Sequence, residues 1–183
     1  AAGVLGEAHT YTWRSPEVML SSVLDHRFGD AMEQAHAWQA TLGPEAVVFT
    51  THPKRDAKPT LDWGDDRSPM YWTGTASMPR SAQLGRASIH VYRPAYPSPA
   101  DPILGPIFGY QPVTHAFFPQ DRFDEVVEVG HWVCGRLGDG YVALWSERET
   151  QWRNYDPAVY ATGGHTLPFD LVAPGGPDNV WIC

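Results

Sequence analysis

The chain has little of three things that would assign it quickly to a class. Only 2 of its 183 residues are cysteines, too few for a disulfide framework. It contains no run of about 18 apolar residues, so the sequence predicts no membrane-spanning helix. Positive charge is scarce, because 13 Lys and Arg stand against 21 Asp and Glu and give a net charge of −8. That balance argues against nucleic acid as a partner, because binding it requires a basic face that displaces counterions.

Aromatic residues, glycine and proline are abundant instead. The sequence has 8 Trp, 8 Tyr and 7 Phe, an aromatic content too high for a disordered chain. Its 17 Gly and 17 Pro place turns throughout and leave little room for long helices. We therefore expect a single domain over residues 1–183, an all-β antiparallel sandwich with at most one or two short helices.

The two ends of the sequence suggest a piece of a larger protein. The chain stops in the apolar run 180–183, which is typical of a strand and has no turn after it. It starts with two alanines and a glycine and has no initial Met; the alternative explanation of this start is cleavage of a signal peptide behind small residues. We therefore expect a fragment. The sequence leaves its compartment open, and also whether Cys134 and Cys183 pair.

Period-two alternation is the main pattern along the chain. It predicts strands at 18–24, 34–42, 46–51, 70–75, 87–93 and 113–118, where β-branched, aromatic and apolar residues concentrate. A helix of two turns is predicted at 121–128, with Asp121 as its N-cap. Two proline-rich segments, 52–69 and 94–112, are predicted to be ordered loops because they carry large apolar side chains.

The clearest element is a hairpin in residues 131–146. The Gly-Asp-Gly segment 138–140 supplies residues that tolerate the positive φ of tight hairpin turns. If the first two of these form the loop, Trp132 pairs with Trp145. Both faces of the hairpin are then apolar, which predicts that it lies covered on both sides within a layered structure.

Eight histidines raise the question of a metal site. None shows His-x-x-x-His or Cys-x-x-Cys spacing, so the sequence assigns no metal ligand and no cofactor. His36, His90 and His115 fall on three predicted strands, and they could meet if those strands are adjacent. The alternative is a hydrogen-bonded histidine on each strand, which needs no metal.

Two aromatic segments are candidate ligand-binding sites. His36 and Trp38, two residues apart on one predicted strand face, combine a ring that stacks on sugars with a group that bonds hydroxyls. Trp72 and Arg80 bracket a hydroxyl-rich segment, where a guanidinium could pair with the carboxylate of a uronic acid. The alternatives are core packing of Trp38 and a turn in which Arg80 pairs with a nearby aspartate. Together with His115, these residues are the candidate contacts for an acidic oligosaccharide.

Motifs for covalent catalysis and for phosphate binding are absent from the sequence. There is no Gly-x-Ser-x-Gly elbow, and neither cysteine has the context of a nucleophile. The glycines at 138–140 belong to a hairpin and not to a strand-to-helix junction. No catalytic residue can therefore be assigned from the residues alone.

Several longer segments carry a family resemblance. They are FPQDRFDEVV at 118–127 followed by GHWVCGRLGDGYVALWS at 130–146, HAWQATLG at 36–43 and WTGTASMP at 72–79. These segments resemble the C-terminal β-sandwich of large bacterial proteins related to the heparinase II/III-type polysaccharide lyases. The resemblance covers residues from about 18 to 183 and implies a mutarotase-like supersandwich, joined in the parent chain to a helical toroid domain.

The resemblance implies a binding or scaffold role for this chain and assigns no reaction to its residues. In such lyases the Tyr and His that perform β-elimination lie largely on the toroid or at its junction with the sandwich, so no catalytic residue is carried over. The expected function is to contribute carbohydrate contacts or scaffold to a cleft completed elsewhere. Two alternatives remain. One is a self-contained histidine- or metal-dependent enzyme on a sandwich or cupin-like scaffold, and the other is an interaction module that docks through residues 103–110.

Overall fold

The computed structural model describes residues 2–5, 9–24, 36–53, 72, 78–93, 100–101, 105–106, 111–160 and 162–183. Their regular secondary structure is almost entirely strand, and the other residues lie in turns and loops. The strands in chain order are β1 (Ala2–Leu5), β2 (Thr10–Arg14), β3 (Met19–Val23), β4 (Trp38–Thr41), β5 (Val47–Thr51), β6 (Arg80–Leu84), β7 (Ala87–Tyr92), β8 (Ala100–Asp101), β9 (Gly105–Pro106), β10 (Val113–Phe117), β11 (Glu125–Val129), β12 (Trp132–Leu137), β13 (Gly140–Ser146), β14 (Gln151–Arg153), β15 (Asp170–Pro174) and β16 (Asn179–Ile182).

These strands form two large antiparallel sheets. The eight-stranded sheet has the order β1-β2-β3-β4-β5-β10-β15-β14, and the six-stranded sheet has the order β11-β12-β13-β16-β7-β6. Strands β8 and β9 pair with each other. The expected all-β antiparallel sandwich is confirmed.

The core lies between the two sheets. Its buried side chains come from both of them and form one cluster, which includes Leu20, Trp38, Val48, Ala116 and Leu171 from the first sheet and Tyr92, Val133, Leu144 and Trp181 from the second. Burial of apolar side chains on the two inner faces is the main force that holds such sheets together.

Hydroxyl groups add directional bonds across this core. The Thr50 hydroxyl lies 3.0 Å from that of Tyr92 in the opposite sheet. The indole of Trp181 donates across the core to Oγ1 of Thr114 at 3.0 Å. Because buried polar groups are costly when unpaired, these bonds fix one relative position of the two sheets.

The predicted hairpin is confirmed with its register. Trp132 pairs with Trp145 and Leu137 with Gly140, so Gly138 and the next residue form the loop. Gly138 has a φ of 58°, which glycine adopts without strain. The predicted cover on both faces is wrong, because the outward face leaves Trp132 39% exposed and Tyr141 68% exposed.

The helix predicted at 121–128 is also wrong. A single 3-10 turn covers Gln120–Arg122, and the chain then enters β11. β11 pairs with β12 along its whole length. Its three valines have a high strand propensity, and the neighbouring edge of β12 provides the pairing that decides the conformation.

Other predicted segments have mixed outcomes. Strands lie within the predicted ranges 18–24, 34–42, 46–51, 87–93 and 113–118. Of the strand predicted at 70–75, only Trp72 is described, and it has helical backbone conformation. Most of the predicted loops 52–69 and 94–112, and with them the side chains of the docking segment 103–110, lie outside the described residues. Both cysteines are free thiols.

Candidate functional site

The outward face of the eight-stranded sheet carries polar side chains at positions next to core residues. Alternation along a strand turns Thr50 into the core and Thr51 outward on β5, and it separates Leu171 from Asp170 on β15 in the same way. Thr51 lies directly opposite His115 in the β5–β10 ladder. These neighbouring strands thereby bring together residues that are far apart in the sequence.

Four side chains on this face form a continuous hydrogen-bonded chain, which we call the buried network: Thr51, His115, Asp170 and Tyr155. The Thr51 hydroxyl bonds Nε2 of His115. Nδ1 of His115 lies 2.8 Å from Oδ1 of Asp170, and Tyr155 donates its hydroxyl to Oδ2 of the same carboxylate. Arg153 places Nη1 3.7 Å from that Oδ2 atom. The pairing to Asp170 assigns the proton to Nδ1, so Nε2 accepts from Thr51.

Aromatic rings enclose the buried network. The ring of Trp72 packs against His115 with centroids 4.4 Å apart. His36 stacks on Phe49 at 3.5 Å and bonds the Trp72 carbonyl at 3.1 Å through Nε2. Burial lowers the pKa of His36 and outweighs the hydrogen bonds that raise it. His36 is therefore a neutral ring that anchors Trp72 over the network.

A cleft of about 490 Å³ opens beside Tyr155. We call it the Arg153 cleft, and its walls include Arg153, Asn154, Tyr155, His165, Thr166 and Phe169. The volume lies within the range typical of small-molecule sites. The Arg153 side chain is 33% exposed, and it lines the cleft while its guanidinium approaches the network.

A second histidine–aspartate pair holds residues 165 and 166 of the cleft lining. Nδ1 of His165 lies 2.8 Å from Oδ1 of Asp121, and Oδ2 of Asp121 accepts the Thr166 amide at 2.8 Å. Burial raises the pKa of Asp121, but the bonds from Thr166 and His165 outweigh it and leave the pKa below its usual value. The charged carboxylate of Asp121 accepts a hydrogen bond from Nδ1 of His165.

The order hydroxyl, imidazole and carboxylate in the buried network matches that of a nucleophilic triad. A nucleophile must reach its substrate, however, and the Thr51 and His115 side chains have no exposed surface. Trp72 covers the imidazole. The arrangement therefore acts as a support that orients Tyr155 and Arg153 at the edge of the cleft.

Three of the predicted contacts lie together on this face: His36, Trp72 and His115. Trp38 does not join them, because it is 1% exposed in the core and donates its indole N–H to Thr50. The prediction that His36 and Trp38 share a strand face is wrong, since β4 begins at Trp38 and the bend before it turns His36 outward. Arg80 lies exposed at the start of an edge strand in the other sheet.

Several residues of this site carry no local signal in the sequence. Tyr155, His165 and Arg153 follow no recognised motif. Asp170 could have been noticed, because it is a carboxylate immediately before the apolar run 171–173 and is fully buried. A buried carboxylate needs hydrogen-bond or charged partners, so the position of Asp170 in the sequence indicates that partners exist but not which residues they are.

Within the described parts of the chain, no group of three or more His, Cys, Asp or Glu side chains is placed to hold an ion. The described residues also include no helix with the length and apolar character needed to cross a membrane.

Comparison of the chain with protein-family models, with curated proteins and with solved structures found no match.

Proposed function

We propose that this β-sandwich domain binds an acidic oligosaccharide in the Arg153 cleft, as the sandwich part of a polysaccharide-lyase-like protein. The observation that carries the proposal is the position of Arg153, a cation on the wall of a cleft that also offers aromatic rings. Guanidinium groups pair with carboxylates in a planar, directional way. A uronic acid offers such a carboxylate beside a ring with an apolar face.

The remaining walls supply the other contacts that a sugar needs. Tyr155, which is partly exposed, offers ring surface for stacking on a pyranose, and the buried Phe169 packs behind it. His165 and Thr166 offer polar groups for its hydroxyls, and Asp121 holds that wall in place. In this proposal, a helical toroid domain of the parent protein completes the cleft. On its own, the domain is then a binding module without lyase activity.

Calorimetric titration tests the proposal. Short oligogalacturonates should bind, and neutral oligosaccharides of equal length should bind at least about tenfold more weakly, because one charge-assisted bond contributes roughly 1.5–3 kcal/mol. Added salt should reduce this preference. Absence of heat with every uronate polymer at millimolar concentration would overturn the proposal.

Two arginine variants locate the site. Arg153→Gln should weaken oligogalacturonate binding about tenfold or more and leave weak neutral binding unchanged. Arg80→Gln is the matched control, because Arg80 lies exposed in the other sheet and was the arginine suggested by the sequence. If Arg80→Gln abolishes binding and Arg153→Gln does not, the acidic sugar binds elsewhere. Thermal unfolding of both variants checks that each remains folded.

A further inference from the structure

The outward face of the six-stranded sheet carries an apolar row that crosses all six strands. Neighbouring residues such as Val133, Leu144 and Trp181 point into the core, so alternation turns the residues on either side of them outward. Residues that pair directly in adjacent strands lie side by side on one face. From β11 to β6, the row consists of Val129, Trp132, Trp145, Ile182, Ile89 and Ala82.

Much of this face is in contact with solvent. Val129 is 66% exposed and Leu84 is 86% exposed, while Trp132 and Ile89 are each 39% exposed. Strands about 4.8 Å apart, with about five residues each, make the six-stranded face roughly 30 by 17 Å, or about 500 Å² in projection. The accessible area of projecting side chains exceeds this projection, so the face approaches the roughly 800 Å² per partner that a stable complex buries. Apolar patches of this size mark interaction sites.

The two halves of the face have complementary shapes. Trp132 presents its exposed ring on β12, the second strand from one edge of the sheet. A shallow depression of about 260 Å³ lies around Ile89 on β7, the second strand from the other edge, and its apolar walls include Leu84, Ala87 and Ile182. Trp132 and Ile89 belong to the same row, so the ring and the depression lie level along the strands, at equal distances from the centre of the sheet.

We propose that this face binds the same face of a second copy of the chain, as a two-fold symmetric dimer. A two-fold axis parallel to the strands, through the centre of the face, exchanges β12 with β7. The ring of Trp132 then lies over the depression at Ile89 of the partner subunit, and the symmetry makes this contact twice. Sheets that pack face to face align their strands within about 30°, so each row covers the other. The face shares no residue with the Arg153 cleft, and the dimer does not depend on ligand binding there.

Opposite charges at the two edges of the face fit the same axis. Glu125, whose side chain is 60% exposed and lies 3.5 Å from Arg136, is on the edge strand β11, level with the residue four positions before Trp145 in β13. The β6–β7 turn with the exposed Arg86 lies three to four positions before Ile89 in β7, which runs parallel to β13. The axis therefore brings the acidic edge of each copy to the basic turn of the other, which favours this pairing of identical faces.

Sedimentation equilibrium tests the dimer. Between about 10 µM and about 1 mM, the mass should rise from 20.3 kDa towards twice that value. Val129→Lys should raise the dissociation constant about tenfold or more, because it buries two lysines against apolar surface. Val159→Lys is the matched control, since Val159 is a 68% exposed valine in the loop after β14 and should leave the dimer unchanged. A monomer at about 1 mM, or equal dissociation constants for the two variants, would overturn the proposal.

Two charge reversals test the position of the axis. Glu125→Arg and Arg86→Glu each place like charges at both symmetric contacts, so each variant alone should dimerise more weakly than the parent. In an equimolar mixture, the heterodimer has opposite charges at both contacts and should form more tightly than either homodimer. Thermal unfolding of each variant checks that it remains folded. A mixture that dimerises no better than its two components would overturn the two-fold arrangement.

Discussion

Nδ1 of His115 lies 2.8 Å from Oδ1 of Asp170, and neither side chain has any exposed surface. A buried carboxylate is tolerated only when its oxygens are bonded, and here His115 and Tyr155 bond one oxygen each. Arg153 brings a positive charge to the edge of this pair. Removing one side chain of the buried network therefore leaves the others buried without their hydrogen-bond partners.

Asp170→Ala should lower the free energy of unfolding by about 3–5 kcal/mol, because it leaves the His115 and Tyr155 donors buried without their acceptor. Asp170→Asn keeps an oxygen for His115 and should cost less. Urea denaturation measures both, with the exposed Glu149→Ala as a control expected within about 0.5 kcal/mol of the parent. Equal stability of the alanine variant and the parent would show that the network does not contribute to the fold.

The domain should lose stability in acid, because two buried histidines are neutral in the fold. Burial lowers the pKa of His90 to about 3 and that of His52 to about 4, from the ordinary value of 6.5. The unfolded chain therefore binds more protons below pH 6.5, and the free energy of unfolding falls as the pH drops from 6.5 towards about 4. Each ring contributes up to about 1.4 kcal/mol per pH unit.

His90→Gln separates this effect from other acid effects. His90 bonds the hydroxyls of Ser81 and Ser88, both at 2.8 Å, and glutamine keeps polar atoms for them without titrating. The slope of unfolding free energy against pH should be smaller in the variant between about pH 4 and 6.5. Identical slopes would mean that His90 is not neutral in the fold.

Gly135→Ala should destabilise the fold through crowding. A Cβ at this position would lie 2.8 Å from Cδ1 of Phe123 and 3.1 Å from Cζ of the fully buried Phe118. Overpacking of this kind costs about 1–3 kcal/mol. Gly138→Asn is the matched control in the same hairpin, because its space is open and asparagine tolerates a positive φ. A thermal midpoint of Gly135→Ala at or above that of Gly138→Asn would contradict the packing described here.

Both thiols should react slowly in the folded protein. Burial raises the pKa of Cys183 to about 12 and also raises the pKa of Cys134, so little thiolate exists at neutral pH. Ellman's reagent should titrate two thiols after denaturation and react only slowly before it. A disulfide between the two in mass spectra of the non-reduced protein would contradict this arrangement.

The features predicted well from sequence are the local ones. The hairpin at 131–146 was predictable, with its register given for one of two possible loops, because turn chemistry and alternation act within a few residues. The same pattern did not show that aromatic residues on the outer face of the hairpin are exposed. The helix at 121–128 failed because pairing of β11 with β12 overrides a weak capping signal.

The site was only partly predictable for a related reason. His36, Trp72 and His115 were suggested by their residue types. Asp170, which completes the network, lies 55 positions after its partner His115 and is paired through the β10–β15 ladder. Strand order in a sheet is a tertiary property, so no spacing within the sequence indicates that contact.

Consecutive residues of β5 tie the domain together: Thr50 bonds Tyr92 inside the sandwich, and Thr51 bonds His115 on its outer face. The groups behind the Arg153 cleft are therefore oriented by folding itself, before any ligand arrives. On the proposed function, binding should then lose little conformational entropy, since few side chains remain to be ordered. Ligand affinity and core packing are then expected to be coupled, so that a change that loosens the sandwich also weakens binding in the cleft.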